Sequence, residues 1–371
     1  MITIRPVMNE NDLGDFVRAP YHIYKYDENW VAPLRKDDFN KLDRKKNPFF
    51  EHAEAELFVA RKGRNAVGRI AAILDRNFEE YHGEKVAYWG WFECENDRAM
   101  SNALFDSAVE WAEKQGATRI IGPLSPSAND VAGLLVDGFG SPPVLMMAYN
   151  PPHYADLVER YGHKKWKDLY AWLLDDPDIP ERLEKIIPRV EARGRFTIRN
   201  LNMKDWDNEV ARARIIYNEF EQVNSIYTPM TPAEFQQLGK DLKLIVDPDL
   251  VFFAEVDGEP IGLSITVPDF NVALKPARGR LFPIGLFKIL KAKKNITRAR
   301  VITMGVIEGF RNRGIALAFY YKTYKTGVTK GFTSAELSWV DEDNHAMNNT
   351  AAKLGAKRYK TYRIYEYKLR G

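Results

Sequence analysis

The succession of hydrophobic and polar positions occurs twice along the chain. Short apolar runs at Leu57-Phe58-Val59-Ala60 and Val251-Phe252-Phe253-Ala254 each pass through a turn to a second run opening at Val67-Gly68 and Ile261-Gly262. The pairs Ala60/Ala254 and Gly68/Gly262 share one offset of 194 residues. Near the ends, Arg160-Tyr161-Gly162-His163-Lys164-Lys165-Trp166 faces Lys353-Leu354-Gly355-Ala356-Lys357-Arg358-Tyr359, with Gly162 and Gly355 offset by 193. Apolar runs bounded by turn residues predict hairpin strands, and apolar positions three to four residues apart predict helices. Each half reads as a strand, helices, two hairpin strands, a central strand, a helix, a strand, a helix and closing strands. The expected architecture is α/β with a mixed sheet, built from two tandem copies of one fold at 1–178 and 179–371.

The copies diverge after their central strands. In the first, Val86-Ala87-Tyr88-Trp89-Gly90-Trp91-Phe92-Glu93-Cys94-Glu95 leads to Asn96-Asp97-Arg98-Ala99-Met100, which has no glycine and has carboxylates close by. An anion would be repelled there. The helix expected over 101–115 carries Leu104, Ala108, Trp111 and Ala112 on one face and reads as core packing. In the second copy, Val306-Ile307-Glu308-Gly309-Phe310-Arg311-Asn312-Arg313-Gly314-Ile315-Ala316 runs into the apolar Leu317-Ala318-Phe319-Tyr320-Tyr321 and reads as strand, turn, helix. Gly314 and Ala316 let the backbone approach an anion, and free N–H groups opening the helix point at one spot. Arg311 and Arg313 add positive charge. A diphosphate suits this arrangement; the plain alternative is a glycine-containing loop that turns a corner.

Each copy carries an insertion relative to the other. Between Gly116 and Gly331 the offset has grown to 215, so about 21 extra residues lie in the second half, placed between Val267 and Ile296. The segment 278–294 is apolar, bracketed by bases and free of acid. Two readings stand: a surface helix whose lysine stems cover a core face, or a lid that binds an acyl chain or an anionic membrane surface. In the first half, 122–143 is a long loop rich in Gly, Pro, Asn and Asp. Asn129, Asp130 and Asp137 are candidates to grip an acceptor, or they serve Asx turns on their own backbone.

Composition narrows the function classes. A chain of 371 residues with 45% apolar and 28% charged residues is long enough for two cored domains. One Cys excludes a disulfide framework and a Cys-rich metal site, and implies a reducing compartment. His153 and His163 flank a helix without ligand spacing, so no metal is expected. The start Met1-Ile2-Thr3-Ile4-Arg5 looks like an edge strand, and no apolar run approaches bilayer-spanning length. A cytoplasmic protein is expected, with 278–294 as a point of peripheral contact with the inner membrane face. A net charge of +3, with no nucleic-acid-binding pattern, gives no reason to expect nucleic acid as a partner.

The spacing Arg-x-x-Gly-x-Ala from Arg311 to Ala316 resembles the pyrophosphate loop of the GNAT superfamily of acyl-CoA-dependent N-acyltransferases. The sequence beyond it is similar as well: a strand-like Phe332-Thr333-Ser334-Ala335-Glu336-Leu337-Ser338-Trp339-Val340, then Asn344, a short helix, Leu354-Gly355, and a closing stretch with Tyr359, Tyr362, Tyr365 and Tyr367. The whole chain further resembles bacterial tandem GNAT proteins of the ceramide synthase type, which acylate a sphingoid amine with a long chain. The resemblance implies acetyl-CoA or a longer acyl-CoA as co-substrate, a small-molecule or lipid amine as acceptor, and direct transfer without a covalent intermediate. It assigns Met304, Gly305 and Val306 to the strand end that holds the thioester, Arg311, Asn312, Arg313, Gly314, Ile315 and Ala316 to the diphosphate, and Asn344 to the cofactor. Glu93, Asn129, Asp130, Asp137 and Tyr227 are the acceptor-side candidates. Cys94 is no nucleophile, with Glu93 and Glu95 expected to raise its pKa.

One departure stands out. Many GNAT enzymes place a Tyr seven residues after the Asn to protonate the departing thiolate, and here that position is Ala351. Water, Tyr359, Tyr362 or Tyr227 could serve instead. Glu308, the nearest acid, sits in the turn, so general acid and base stay open, and a protein that binds acyl-CoA without turnover is the alternative.

Overall fold

A computed structural model describes residues 2–175, 182–224 and 226–369. Its strands are β1 Ile2–Pro6, β2 Ala53–Lys62, β3 Asn65–Asp75, β4 Val86–Cys94, β5 Arg119–Gly122, β6 Leu134–Asp137, β7 Lys164–Asp175, β8 Thr197–Asn200, β9 Val251–Val256, β10 Glu259–Pro268, β11 Arg298–Val306, β12 Ser334–Asp341 and β13 Lys357–Lys368. The helices are α1 Glu10–Ile23, α2 Arg35–Leu42, α3 Arg76–His82, α4 Arg98–Lys114, α5 His153–Tyr161, α6 Arg182–Gly194, α7 Trp206–Phe220, α8 Pro232–Leu242, α9 Asn271–Leu274, α10 Gly285–Lys293, α11 Ile315–Thr329 and α12 His345–Lys353. The α/β class with mixed pairing agrees with the pattern of the sequence.

The chain gathers into two compact units, one of Met1–Leu169, Leu274–Ile289 and Lys360–Gly371, the other of Tyr170–Ala273 and Leu290–Tyr359. The expected cut between 178 and 179 falls outside the described residues. The second half of the sequence returns its last strand and part of its insertion to the first unit.

In the first unit the sheet runs β1-β2-β3-β4-β5-β13, with β6 also on β13. The β2–β3 hairpin runs from Ala53↔Asp75 to Lys62↔Asn65 with one register shift between Ala60 and Arg61, and Gly63 turns it at φ 62°. Almost every β4 side chain is buried, because both faces of this central strand are covered. Trp89, Phe105, Tyr154 and Tyr365 meet in the core beneath α4. That helix opens on Asp97, whose side chain accepts from the Met100 N–H at 3.1 Å.

In the second unit the order is β12-β11-β10-β9-β8. The apolar run that opens β9 follows from helices on both faces. Phe252 and Ala254 pack with Ile315, Ala318 and Phe319 of α11, while Val251 and Phe253 pack with Ala213, Ile216 and Phe220 of α7 and Phe235 of α8. A capping box, Thr231 with Glu234, starts α8.

The insertion 278–294 contains the surface helix α10. α10 buries Gly285, Ile289 and Ala292, yet Phe282, Ile284, Leu286, Phe287 and Leu290 stand exposed. The lysine stems do not bury this apolar face.

Candidate functional site

The central strand of the second unit is open on one side. β11 pairs in parallel with β12 from Arg298↔Ser334 to Val301↔Leu337, and among the described residues their pairing stops there. β11 continues to Val306, held by β10 through Ile265↔Thr303 to Gly262↔Val306. Backbone groups of 302–306 that point away from β10 therefore have no strand partner on the β12 side. Met304, Gly305 and Val306 lie on this free edge. Phe220, the last residue of α7, presses on Gly305 so closely that a Cβ there would stand 2.3 Å from its ring. Val301, Tyr320 and Leu337, with Trp172, Met304 and Met347 against them, form an apolar cluster along the opening.

β11 leaves through Ile307, whose N–H donates to Ile261 O at 3.0 Å, into a single 3-10 turn at Glu308–Phe310. Asn312 and Gly314 take left-handed conformations at φ 65° and 88°. Gly314 stands at the N-cap of α11 with no side chain bonded to the first turn, so the positive end of the helix is uncapped. Its hydrogen faces α6, and a Cβ would meet Val190 Cγ1 at 2.3 Å. Ile315 is buried and anchors the helix start, whereas Arg311, Asn312, Arg313 and Ala316 are exposed. The Arg313 guanidinium lies over the Phe310 ring at 4.6 Å, and Arg311 Nε donates to Val306 O at 3.3 Å. Exposed amides, two bases and a glycine-lined approach fit a diphosphate. In the first unit the matching helix start is taken by the Asp97 carboxylate, held below its ordinary pKa chiefly by the Met100 N–H.

The first unit also fills its own opening. β4 pairs with β5 only through Tyr88↔Ile121. Beyond that point the Leu124 N–H donates to Trp89 O at 2.9 Å and the Trp91 N–H to Ser125 Oγ at 2.8 Å. A Cβ on Gly90 would lie 1.8 Å from Leu124 O. The insertion 122–143 thus plugs the place where the second unit is open.

The acceptor-side candidates of the first unit are occupied or scattered. Ser127 Oγ donates to Asp130 at 2.9 Å and accepts from the Asn129 N–H at 3.2 Å, the local turn chemistry that competes with ligand binding. Asp137 is an exposed residue of β6 opposite Thr361. Glu93 is enclosed: Tyr24 and Tyr154 donate to it at 2.7 and 2.9 Å, Arg69 stands 3.5 Å away, and burial raises its pKa. A cleft of about 720 Å³ is lined by Tyr24, Asp27, Glu95, Tyr149 and His153 among others, and none of the four candidates lines it. Cys94 is pushed up to about 12 by burial first and then by Asp97 and Glu95.

Of the remaining candidates in the second unit, Asn344 caps α12, its Oδ1 accepting from the Met347 N–H at 3.1 Å. Ala351 is buried and offers no hydroxyl. Tyr227 is buried and donates to Asn218 O at 3.1 Å, tying the loop after α7 back onto that helix. Tyr359 is committed to Glu336. Tyr362 belongs to the first unit.

Two residues emerge that sequence reasoning missed. Glu221 follows Phe220 directly, and burial raises its pKa from 4.5 to about 7, against the Asn224 and Thr303 side chains that favour ionisation and with Asp341 adding to the rise. Thr303 is on the free part of β11, and Phe220, the neighbour of Glu221, packs on Gly305 of the same strand. Tyr320 places its hydroxyl 3.2 Å from Met347 Sδ, one turn of α12 before Ala351, and burial pushes it to about 12. In sequence, Glu221 was one acid beside Glu219 at a helix end, and Tyr320 one aromatic in an apolar helix.

Comparison with known proteins accords with this geometry. Residues 220–356 match the acetyltransferase (GNAT) family. The chain is 36% identical over 373 residues to the bacterial ceramide synthase of Caulobacter vibrioides (strain NA1000 / CB15N), covering 98% of this chain and 97% of that protein. It is 34% identical over 371 residues to Protein YghO of Escherichia coli (strain K12), covering 98% and 94%. A tandem GNAT protein from the clavulanic acid biosynthesis pathway shares the fold, with a TM-score of 0.59 at 13% identity over 100% of this chain and 99% of that one. Among the described residues no His, Cys, Asp or Glu cluster could hold a metal ion, and no helix is long and apolar enough to cross a membrane. The chain belongs to the GNAT family of acetyltransferases and is an N-acyltransferase built on the tandem form of that fold.

Proposed function

We propose that this enzyme transfers a long acyl chain from its CoA thioester to the primary amine of a sphingoid or similar lipid amine. The observation that carries this is the 36% identity, over nearly the whole of both chains, to a protein named bacterial ceramide synthase. The apolar cluster of Val301, Tyr320, Leu337, Met304, Met347 and Trp172 beside the free edge of β11 supports it, since a chain laid along such side chains gains about 0.8 kcal/mol per buried CH₂.

The chemistry follows from the residues at the opening. The turn at Arg311–Ala316 and the bare start of α11 hold the diphosphate, while free backbone groups of β11 bind the arm and an N–H polarises the thioester carbonyl. Glu221, with a pKa of about 7, takes a proton from the ammonium form of the acceptor, freeing the nitrogen lone pair. Nitrogen attacks the carbonyl carbon, the C–N bond forms, and the C–S bond breaks. Tyr320, still protonated at neutral pH, gives its proton to the departing thiolate, and the proton lost from nitrogen restores it through water. Amide and free thiol are the products.

The experiment is to incubate the purified chain with sphinganine and either palmitoyl-CoA or acetyl-CoA and to follow the amide by mass spectrometry. Palmitoyl transfer well above acetyl transfer is expected. Acetyl transfer to a small polar amine, with no lipid product, would overturn the lipid reading.

A further inference from the structure

The segment 281–294 has a face that the fold leaves bare. Fourteen large apolar side chains are exposed among the described residues, and five of them fall between 282 and 290: Phe282 at 76%, Ile284 at 60%, Leu286 at 45%, Phe287 at 72% and Leu290 at 63%. This is not a loosely placed loop. Gly279, at φ 74°, seats the segment where a Cβ would strike the Tyr21 hydroxyl at 2.1 Å, and its carbonyl accepts from the Arg35 N–H at 3.2 Å. Gly285 closes onto Arg280 O, which a Cβ would meet at 1.6 Å, and the Leu286 N–H donates to Leu281 O at 2.7 Å. On α10 the buried positions Gly285, Ile289 and Ala292 form one narrow stripe at helical spacing. Leu286, Phe287 and Leu290 fall on the opposite side.

The charges around this face share one sign. No Asp or Glu occurs between Asp269 and Glu308. Lys288, Lys291, Lys293 and Lys294, with Lys275, Arg278 and Arg280 before them, are all exposed, and among the described residues none forms an ion pair with a carboxylate. At 100° per residue Lys293 and Lys291 flank the apolar stripe on either side. Buried protein–protein contacts are poor in lysine, whereas a lysine-rimmed apolar face is the form taken by helices that lie in a bilayer interface. The like charge also disfavours pairing of two copies through this face.

We infer that 281–294 is a membrane-docking element that inserts Phe282, Ile284, Phe287 and Leu290 among the acyl chains of an anionic phospholipid surface while its lysines reach the head-group phosphates. This rests on the patch alone and is independent of the acyl acceptor.

The test is co-sedimentation of the full chain with vesicles of phosphatidylcholine alone and of phosphatidylcholine mixed with phosphatidylglycerol. Binding to the mixed vesicles is expected, and weakens with added salt. Replacing Lys288, Lys291, Lys293 and Lys294 with Gln lowers it by about six hundredfold, as each base contributes about fivefold near an anionic surface. Phe282→Ser with Phe287→Ser abolishes it. All these side chains are exposed, so thermal melting stays within a degree or two of wild type, about what surface changes give. Absence of vesicle binding, binding indifferent to both sets of changes, or a dimer that the Phe282→Ser, Phe287→Ser variant turns to monomer without any lipid effect would each overturn the inference.

Discussion

Glu221→Gln separates a working carboxylate from one that merely fills space. Burial moves this group from 4.5 to about 7, so the folded state holds a proton that the unfolded chain has already released. A raised acid pKa stabilises the fold most fully below 4.5, loses that contribution as pH climbs to about 7, and is flat above. The shift corresponds to about 3 kcal/mol of stability lost at alkaline pH relative to a neutral side chain there. Gln keeps the shape and never ionises, so the variant gains up to about 3 kcal/mol at pH 8 and little at pH 4. Its turnover falls by about 10²- to 10⁴-fold, the usual effect of losing a positioned base. In the wild type kcat/KM climbs tenfold per pH unit below about 7 and levels off above; in the variant that inflection is gone. Thiol release from palmitoyl-CoA across the pH range, with urea unfolding at pH 4 and pH 8, reads both effects. An inflection near 7 that survives in Gln, or a stability gain equal at both pH values, refutes the assignment.

Three further outcomes follow from the geometry. Gly314→Asp strains a left-handed position, drives into Val190 and sets a negative charge at the start of α11; together about 3 kcal/mol, it weakens CoA binding about a hundredfold by calorimetry. Gly90→Val in the first unit collides with Leu124 O, so melting temperature falls by an amount fitting about 3 kcal/mol, while CoA affinity measured on the folded fraction is unchanged. Tyr320→Phe removes the hydroxyl but keeps the ring in its apolar cluster, so kcat falls about tenfold to a hundredfold with KM nearly constant; an equal fall for thioesters with good and poor leaving thiols would show that this hydroxyl donates no proton.

The duplication, the α/β class and the strand-turn-helix at Val306–Ala316 were legible because each rests on local rules. The apolar runs of β2 and β9 declare covered strands, and the glycine at 314 before an apolar helix declares an uncapped N-terminus. Local rules also marked the lack of glycine and the nearby carboxylates at the same place in the first copy, where Asp97 caps the helix. Glu221 was not legible, since its pKa is raised by burial, which packing creates, and is modulated by Thr303 and Asp341, which lie far away in sequence. The same holds for Tyr320, whose position against α12 is a matter of packing, and for Glu93, which Tyr24 and Tyr154 enclose from distant elements.

By itself, then, the sequence determined the repeat, the order of elements, the glycine turn that opens an apolar helix and a basic apolar insertion, all encoded in neighbours a few residues apart. Only the tertiary structure decided which copy keeps an open strand edge, because that turns on whether 122–143 folds back onto Trp89 and Trp91. It also decided that α10 turns its large apolar side chains outward, because three small or medium residues, Gly285, Ile289 and Ala292, make the inward stripe and leave no room inside for Phe282, Phe287 or Leu290.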